Sequence, residues 1–113
     1  MFTLHFDGAA IQTEEDFHQA VREQTGIEWY GANRDAFWDM LVYVVPCNWG
    51  RFRIEWNDYD LSMPSDHQRK IMLLGLMKEA EEHASDRLEK VRLTFTEPVY
   101  PEESDPFIMQ QQG

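Results

Sequence analysis

The stretch Asn33-Arg34-Asp35-Ala36-Phe37-Trp38-Asp39-Met40-Leu41-Val42-Tyr43-Val44-Val45-Pro46, with Arg51-Phe52-Arg53-Ile54-Glu55-Trp56-Asn57 after it, decides the fold, because the apolar period changes between its halves. In the first half Phe37, Met40, Leu41 and Val44 recur at helical spacing, Asn33 stands as the N-cap, and Pro46 is the expected stop. The other side of that helix carries Asp35, Trp38, Asp39 and Val42. In the second half Phe52, Ile54 and Trp56 alternate with Arg51, Arg53 and Glu55, the period-2 pattern of a strand with one buried face.

Outward from this pair the pattern repeats. Phe2, Leu4 and Phe6 alternate with Thr3, His5 and Asp7, which predicts a first strand ended by Asp7-Gly8. Thr13 and Asp16 then form a capping-box-like start, Glu14 and Glu15 suit the positive end of a helix dipole, Phe17, Ala20 and Val21 give an inner stripe, and Gly26 stops the helix. Beyond Asn57, the positions Ile71, Leu73, Leu74, Leu76, Met77, Ala80 and Ala84 predict a core helix running from near Pro64 to about Ser85. Val91, Leu93 and Phe95 predict a third strand. Strands separated by helices require crossover connections, so the expected class is α/β: a three-stranded parallel sheet with helices packed against it. One domain, residues 1–96, accounts for this. From Glu97 onward three prolines, four acids and a terminal Gln-Gln-Gln-Gly read as a flexible acidic tail, 97–113.

Composition narrows the partner. The chain has 113 residues, enough for one core, and a formal net charge of -11 that repels nucleic acid and anionic membrane and favours a cationic protein. The first 96 residues hold 17 of the acids and all ten bases, so the domain is acidic without its tail. A single cysteine, Cys47, excludes an intramolecular disulfide framework. The N-terminus alternates in polarity without an export signal, and no apolar run approaches ~18 residues; the expectation is a cytoplasmic protein without a membrane span.

Asp35 and Asp39 stand four apart on one helix face, where like charges cost roughly 0.2–0.5 kcal/mol. Arg34 is adjacent in sequence but projects about a hundred degrees away from Asp35. The plainer reading is a solvated helix face with Asp35 favoured by the dipole. Against it stands the aromatic surface of Trp29, Tyr30 and Trp38, since aromatics around charges are typical of interface anchors. One of Trp29 and Tyr30 is expected to pack under the loop. No catalytic or metal constellation is visible. The two aspartates lack a third ligand, His5, His18, His67 and His83 fall on different elements and read as surface or strand-edge residues, and Cys47 has no nearby base. Arg51, Arg53 and Arg92 read as ion-pair partners for acids such as Glu55 rather than as an RNA-binding face.

The run Trp29-Tyr30-Gly31-Ala32-Asn33-Arg34-Asp35-Ala36-Phe37-Trp38-Asp39-Met40-Leu41 resembles the barstar family of intracellular ribonuclease inhibitors. The likeness extends through Asp16-Phe17-His18-Gln19, Ile54-Glu55-Trp56 and Met77-Lys78-Glu79-Ala80 to the third strand. It implies a three-stranded parallel sheet and a second helix that plugs a nuclease active site. By matching position, Asp39 would be the chief carboxylate, Asp35 a second contact, Trp29 an aromatic contact and Glu79 a flanking acid, with Asn33, Ala36 and Trp38 around them. Arg34 and Val42 replace an apolar and a small polar residue at contact positions of the best-known member, and Tyr43-Val44 replaces Gly-Trp. A cation at position 34 is expected to clash with a very basic target, so the expected target is a ribonuclease other than barnase itself. The expected function is inhibition of a basic ribonuclease, as in a toxin-immunity pair, without catalysis, metal or cofactor. The alternative is a noncatalytic adaptor that uses the same acidic surface for another basic protein.

Overall fold

The computed structural model describes residues 1–96; the stretch 97–113, read above as a tail, lies outside the described residues. The elements follow the order β1 (Phe2–Asp7), α1 (Glu14–Thr25), α2 (Arg34–Asp39), a π-helical turn (Met40–Val44), α3 (Val45–Trp49), β2 (Phe52–Asn57), a 3-10 turn (Tyr59–Leu61), α4 (His67–His83) and β3 (Arg92–Leu93). The three strands form one parallel sheet in the order β1-β2-β3, so the α/β class expected from the alternation of periods is the class observed. β1 and β2 pair in full register from Phe2–Phe52 to Asp7–Asn57. β3 pairs only at Arg92 and Leu93, much shorter than Val91 to Phe95 suggested.

The alternation in β1 and β2 divides the sheet. Leu4, Phe6, Phe52, Ile54 and Trp56 are fully buried beneath the helices. Phe17 stacks on Phe6 at 4.3 Å, Phe37 meets Phe17 edge-on at 5.0 Å, and Tyr59 meets Trp56 edge-on at 4.9 Å. Offset and edge-on contacts of this kind add roughly 0.5–1.5 kcal/mol each to the burial of the rings. The opposite face carries polar pairs. Arg53 lies 3.0 Å and Arg51 3.7 Å from Glu89, while Glu55 lies 3.6 Å from His5. The acid that serves the arginines is therefore Glu89 and not Glu55, because the crossover after α4 returns it beside β2.

β1 is an edge strand. The backbone N–H of His5 donates to Gln24 Oε1 at 2.7 Å, and Gln24 Nε2 donates back to the His5 carbonyl. At its end Gly8 donates to the Asn57 carbonyl at 2.7 Å, and a Cβ there would lie 1.9 Å from the Asp58 carbonyl oxygen, so only glycine fits.

α1 starts and stops as its sequence predicts. Thr13 and Asp16 form the reciprocal capping box, and Gly26 closes the helix in the left-handed region at φ 68. The helix after Asn33 does not stop at Pro46. It continues through the π turn, where the Val45 N–H reaches the Met40 carbonyl, and ends at Trp49 before Gly50. Pro46 has no N–H for the Val42 carbonyl, and Arg87 Nη1 donates to that carbonyl instead at 2.9 Å. The wide turn also changes which residues face inward: Met40, Leu41 and Val42 are all buried, followed by Val45. α4 begins later than Pro64. Asp66 is its N-cap, with the side chain accepting from the Arg69 N–H at 3.2 Å, and Leu73, Leu74, Met77 and Ala80 form its buried stripe.

Candidate functional site

Between Gly26 and Asn33 the two neighbouring aromatics separate. Tyr30 is 2% exposed and Trp29 is 71% exposed. Tyr30 is held at both ends, since Arg22 Nη2 donates to its carbonyl at 2.8 Å and its hydroxyl lies 2.5 Å from His18 Nδ1. His18 Nε2 in turn lies 3.0 Å from Glu14 Oε2. A carboxylate only accepts, so Nε2 carries the proton; in the neutral imidazole Nδ1 then accepts from the Tyr30 hydroxyl. Burial pushes the Tyr30 hydroxyl well above its ordinary 10.0, which keeps it a donor. His18 is thus a core residue, 3% exposed, and not the surface histidine that the sequence suggested.

The first turn of α2 is fixed in two ways. Asn33 Oδ1 accepts from the Ala36 N–H at 2.8 Å, which is the helix N-cap. Arg34 Nη2 reaches Glu14 Oε1 at 3.1 Å, and Arg69 Nε from α4 reaches the same oxygen at 3.4 Å. Partial burial pushes the Glu14 carboxyl up, but the His18 hydrogen bond and the Arg34 guanidinium outweigh it and hold the group below its ordinary 4.5. Ala32, just before the cap, is in the left-handed region at φ 54, a conformation that costs an alanine roughly 1–2 kcal/mol. An open cleft of about 700 Å³ runs between α1 and this turn, lined by Glu14, His18, Arg22, Arg34 and Arg69 among others.

The remaining site residues follow from these two elements. Asp35 and Asp39 are both exposed, one turn apart, and among the described residues neither carboxylate has an ion pair or a side-chain hydrogen bond. Trp38 is half-buried, with its ring 5.5 Å from that of His83 on α4. Glu79 is exposed one turn before His83 on the same helix. Ala36 is half-buried and Asn33 exposed. Two expected members differ. Val42 is 1% exposed, because the π turn rolls it into the core, and it offers no surface. Arg34 is turned toward α1, where its guanidinium pairs with Glu14.

Sequence reasoning did not find Glu14, His18 and Arg69 as parts of this arrangement. The Glu14–His18 spacing of four was a signal for the helical pair, but Tyr30, Arg34 and Arg69 join it only through the fold. Among the described residues no group of three His, Cys, Asp or Glu side chains could hold a metal ion, and no helix is long and apolar enough to cross a membrane.

A search of curated proteins returned no match. The sequence profile of the family described as Barstar (barnase inhibitor) matches residues 1–96, the whole of the described domain. With that match and a parallel three-stranded α/β fold, the chain belongs to the barstar (barnase inhibitor) family.

Proposed function

We propose that this chain inhibits a basic ribonuclease by seating the face that carries Trp29, Asp35, Asp39 and Glu79 in the enzyme's cationic cleft. The observation that carries the reading is the exposed Asp35–Asp39 couple, unpaired among the described residues, together with the uncovered Trp29 ring in the loop before α2. A folded protein gains nothing from two like charges at this spacing, and a Trp with most of its surface in water forgoes about 2 kcal/mol or more of available burial. Both features become favourable against one kind of surface. A cleft built to hold a polyanion supplies cations for the carboxylates and, where bases stack, an apolar wall for the indole.

Asn33, Ala36 and Trp38 would complete the contact around the carboxylates, whereas Val42 would act through the core. Arg34 does not oppose a basic target, because Glu14 neutralises it and draws it to one side. The overall negative charge of the domain adds steering, which raises association rates and fades with salt.

Titration of the purified chain into basic ribonucleases, starting with barnase, tests this by inhibition of RNA cleavage and by association kinetics at low and high salt. Inhibition that weakens for Asp39→Ala, with association slowed by salt, is the expected result. Affinity unchanged in Asp39→Ala, or an on-rate indifferent to salt, would sink the proposal.

A further inference from the structure

Glu14 lies on α1, outside the Trp29–Asp39 segment, yet its two carboxylate oxygens serve two points of that segment, the loop at Tyr30 and the start of α2 at Arg34. Oε2 receives His18 Nε2, whose ring passes the connection to the Tyr30 hydroxyl in the loop. Oε1 receives Arg34, the first residue of α2, together with Arg69 of α4. Between the two attachments the backbone passes through Ala32 at φ 54. Strain of that kind persists only where the surroundings over-determine it. The Glu14 side chain is 19% exposed, so water competes only partly for its oxygens.

We propose that Glu14 is a positioning residue for the candidate interface: it sets the loop through His18 and Tyr30, sets the start of α2 through Arg34, and so holds Trp29 and Asp35 in place before any partner arrives. Preorganisation of this sort strengthens association by removing the ordering cost, without adding a contact to the partner. The inference rests on reading that surface as the interface, but its test needs only the free chain.

The two arms can be cut separately. Three amides report on them: the Tyr30 N–H, bonded to the Ile27 carbonyl, in the loop, and the Ala36 and Phe37 N–H groups, bonded to Asn33, at the helix start. Hydrogen exchange of these amides is measured by NMR alongside Phe6 and Ile54 in the strands. In Glu14→Ala all three reporters exchange about tenfold faster, the scale of one charge-assisted hydrogen bond, while the strand amides keep their rates. In Glu14→Gln the amide oxygen still accepts from His18 but the charge facing Arg34 and Arg69 is gone. Ala36 and Phe37 then loosen and Tyr30 does not. Tyr30→Phe gives the reverse pattern, and these two variants keep the test intact if Glu14→Ala fails to fold. Reporter rates that stay at the wild-type value, or that rise in step with the strand amides, overturn the proposal. Loss of ribonuclease inhibition in Asp39→Ala is a separate readout, so failure of the anchor and failure of the functional reading are distinguishable.

Discussion

Trp56 has no exposed surface, donates its Nε1–H to Ser62 Oγ at 2.8 Å, and lies against Phe6, Phe17 and Tyr59. Trp29 keeps 71% of its surface in water. The carboxylates divide in the same way: Glu14, Asp60 and Glu89 have partners on neighbouring elements, whereas Asp35 and Asp39 have none among the described residues. One region satisfies its aromatics and charges internally, and the other leaves both unsatisfied. Where a sequence places the same residue types under opposite conditions in one small domain, the unsatisfied set is the one that the proposed function assigns to a partner.

That contrast can be broken from either side. Trp56→Ala should destabilise the fold by roughly 3–5 kcal/mol, measured by denaturant unfolding, because it removes a fully enclosed indole and leaves Ser62 without its donor. A loss below 1 kcal/mol would mean the core tolerates the void and the division is less sharp than described. Asp39→Ala should leave unfolding within about 0.5 kcal/mol of wild type while ribonuclease binding weakens by about 2 kcal/mol or more. A stability loss with unchanged binding would reverse the roles assigned to the two regions. Trp29→Ala is expected to follow the same pattern at about 1–2 kcal/mol in binding, checked by calorimetry.

Acid acts on the internally satisfied region. Glu14 and Glu89 lie below their ordinary 4.5 and Asp60 below its ordinary 3.8. For Glu89 the cause is first the Arg53 hydrogen bond; for Glu14 and Asp60, desolvation is outweighed, by His18 and Arg34 in the one and by Thr96 in the other. A carboxylate depressed in the folded state stabilises above its unfolded pKa and loses that contribution as pH falls through the folded one. The Tm should therefore decline as pH is lowered below about 4.5, and Glu14→Gln should flatten part of that decline. The smallest effect is expected at Ala32→Gly, which relieves the positive φ but raises the backbone entropy of the unfolded chain, for a net change within about 1 kcal/mol in thermal unfolding.

β1, β2 and α1 were legible because their signals are local, whereas β3 pairs over only two of the residues its pattern suggested. Period-2 alternation placed Leu4, Phe6, Ile54 and Trp56 correctly, and the Thr13–Asp16 box and Gly26 set both ends of α1. The helix after Asn33 was legible only in its first turns. Beyond Asp39 the π turn suspends the 3.6 period, so Val42 was misplaced, and Pro46 read as a stop because the donor that replaces its missing N–H, Arg87, stands 45 positions from Val42. The acidic couple and its aromatic neighbours were visible from spacing. The frame behind them was not, since Glu14 looked like a dipole-favoured acid and its partners on the loop, α2 and α4 meet it only after folding.

Gln24 has a consequence beyond the strand it touches. An open parallel edge is a template on which a further chain can add, and repeated addition builds fibres. At β1 the side-chain amide of Gln24 imitates one residue of such a chain, occupying both the donor and the acceptor of His5. Two residues on, the Asp7 carbonyl is taken by the amides of Ala10 and Ile11. Among the described residues the sheet thus stops at three strands, and the β1 edge is closed by a counterfeit fourth that keeps another copy of the chain from adding there.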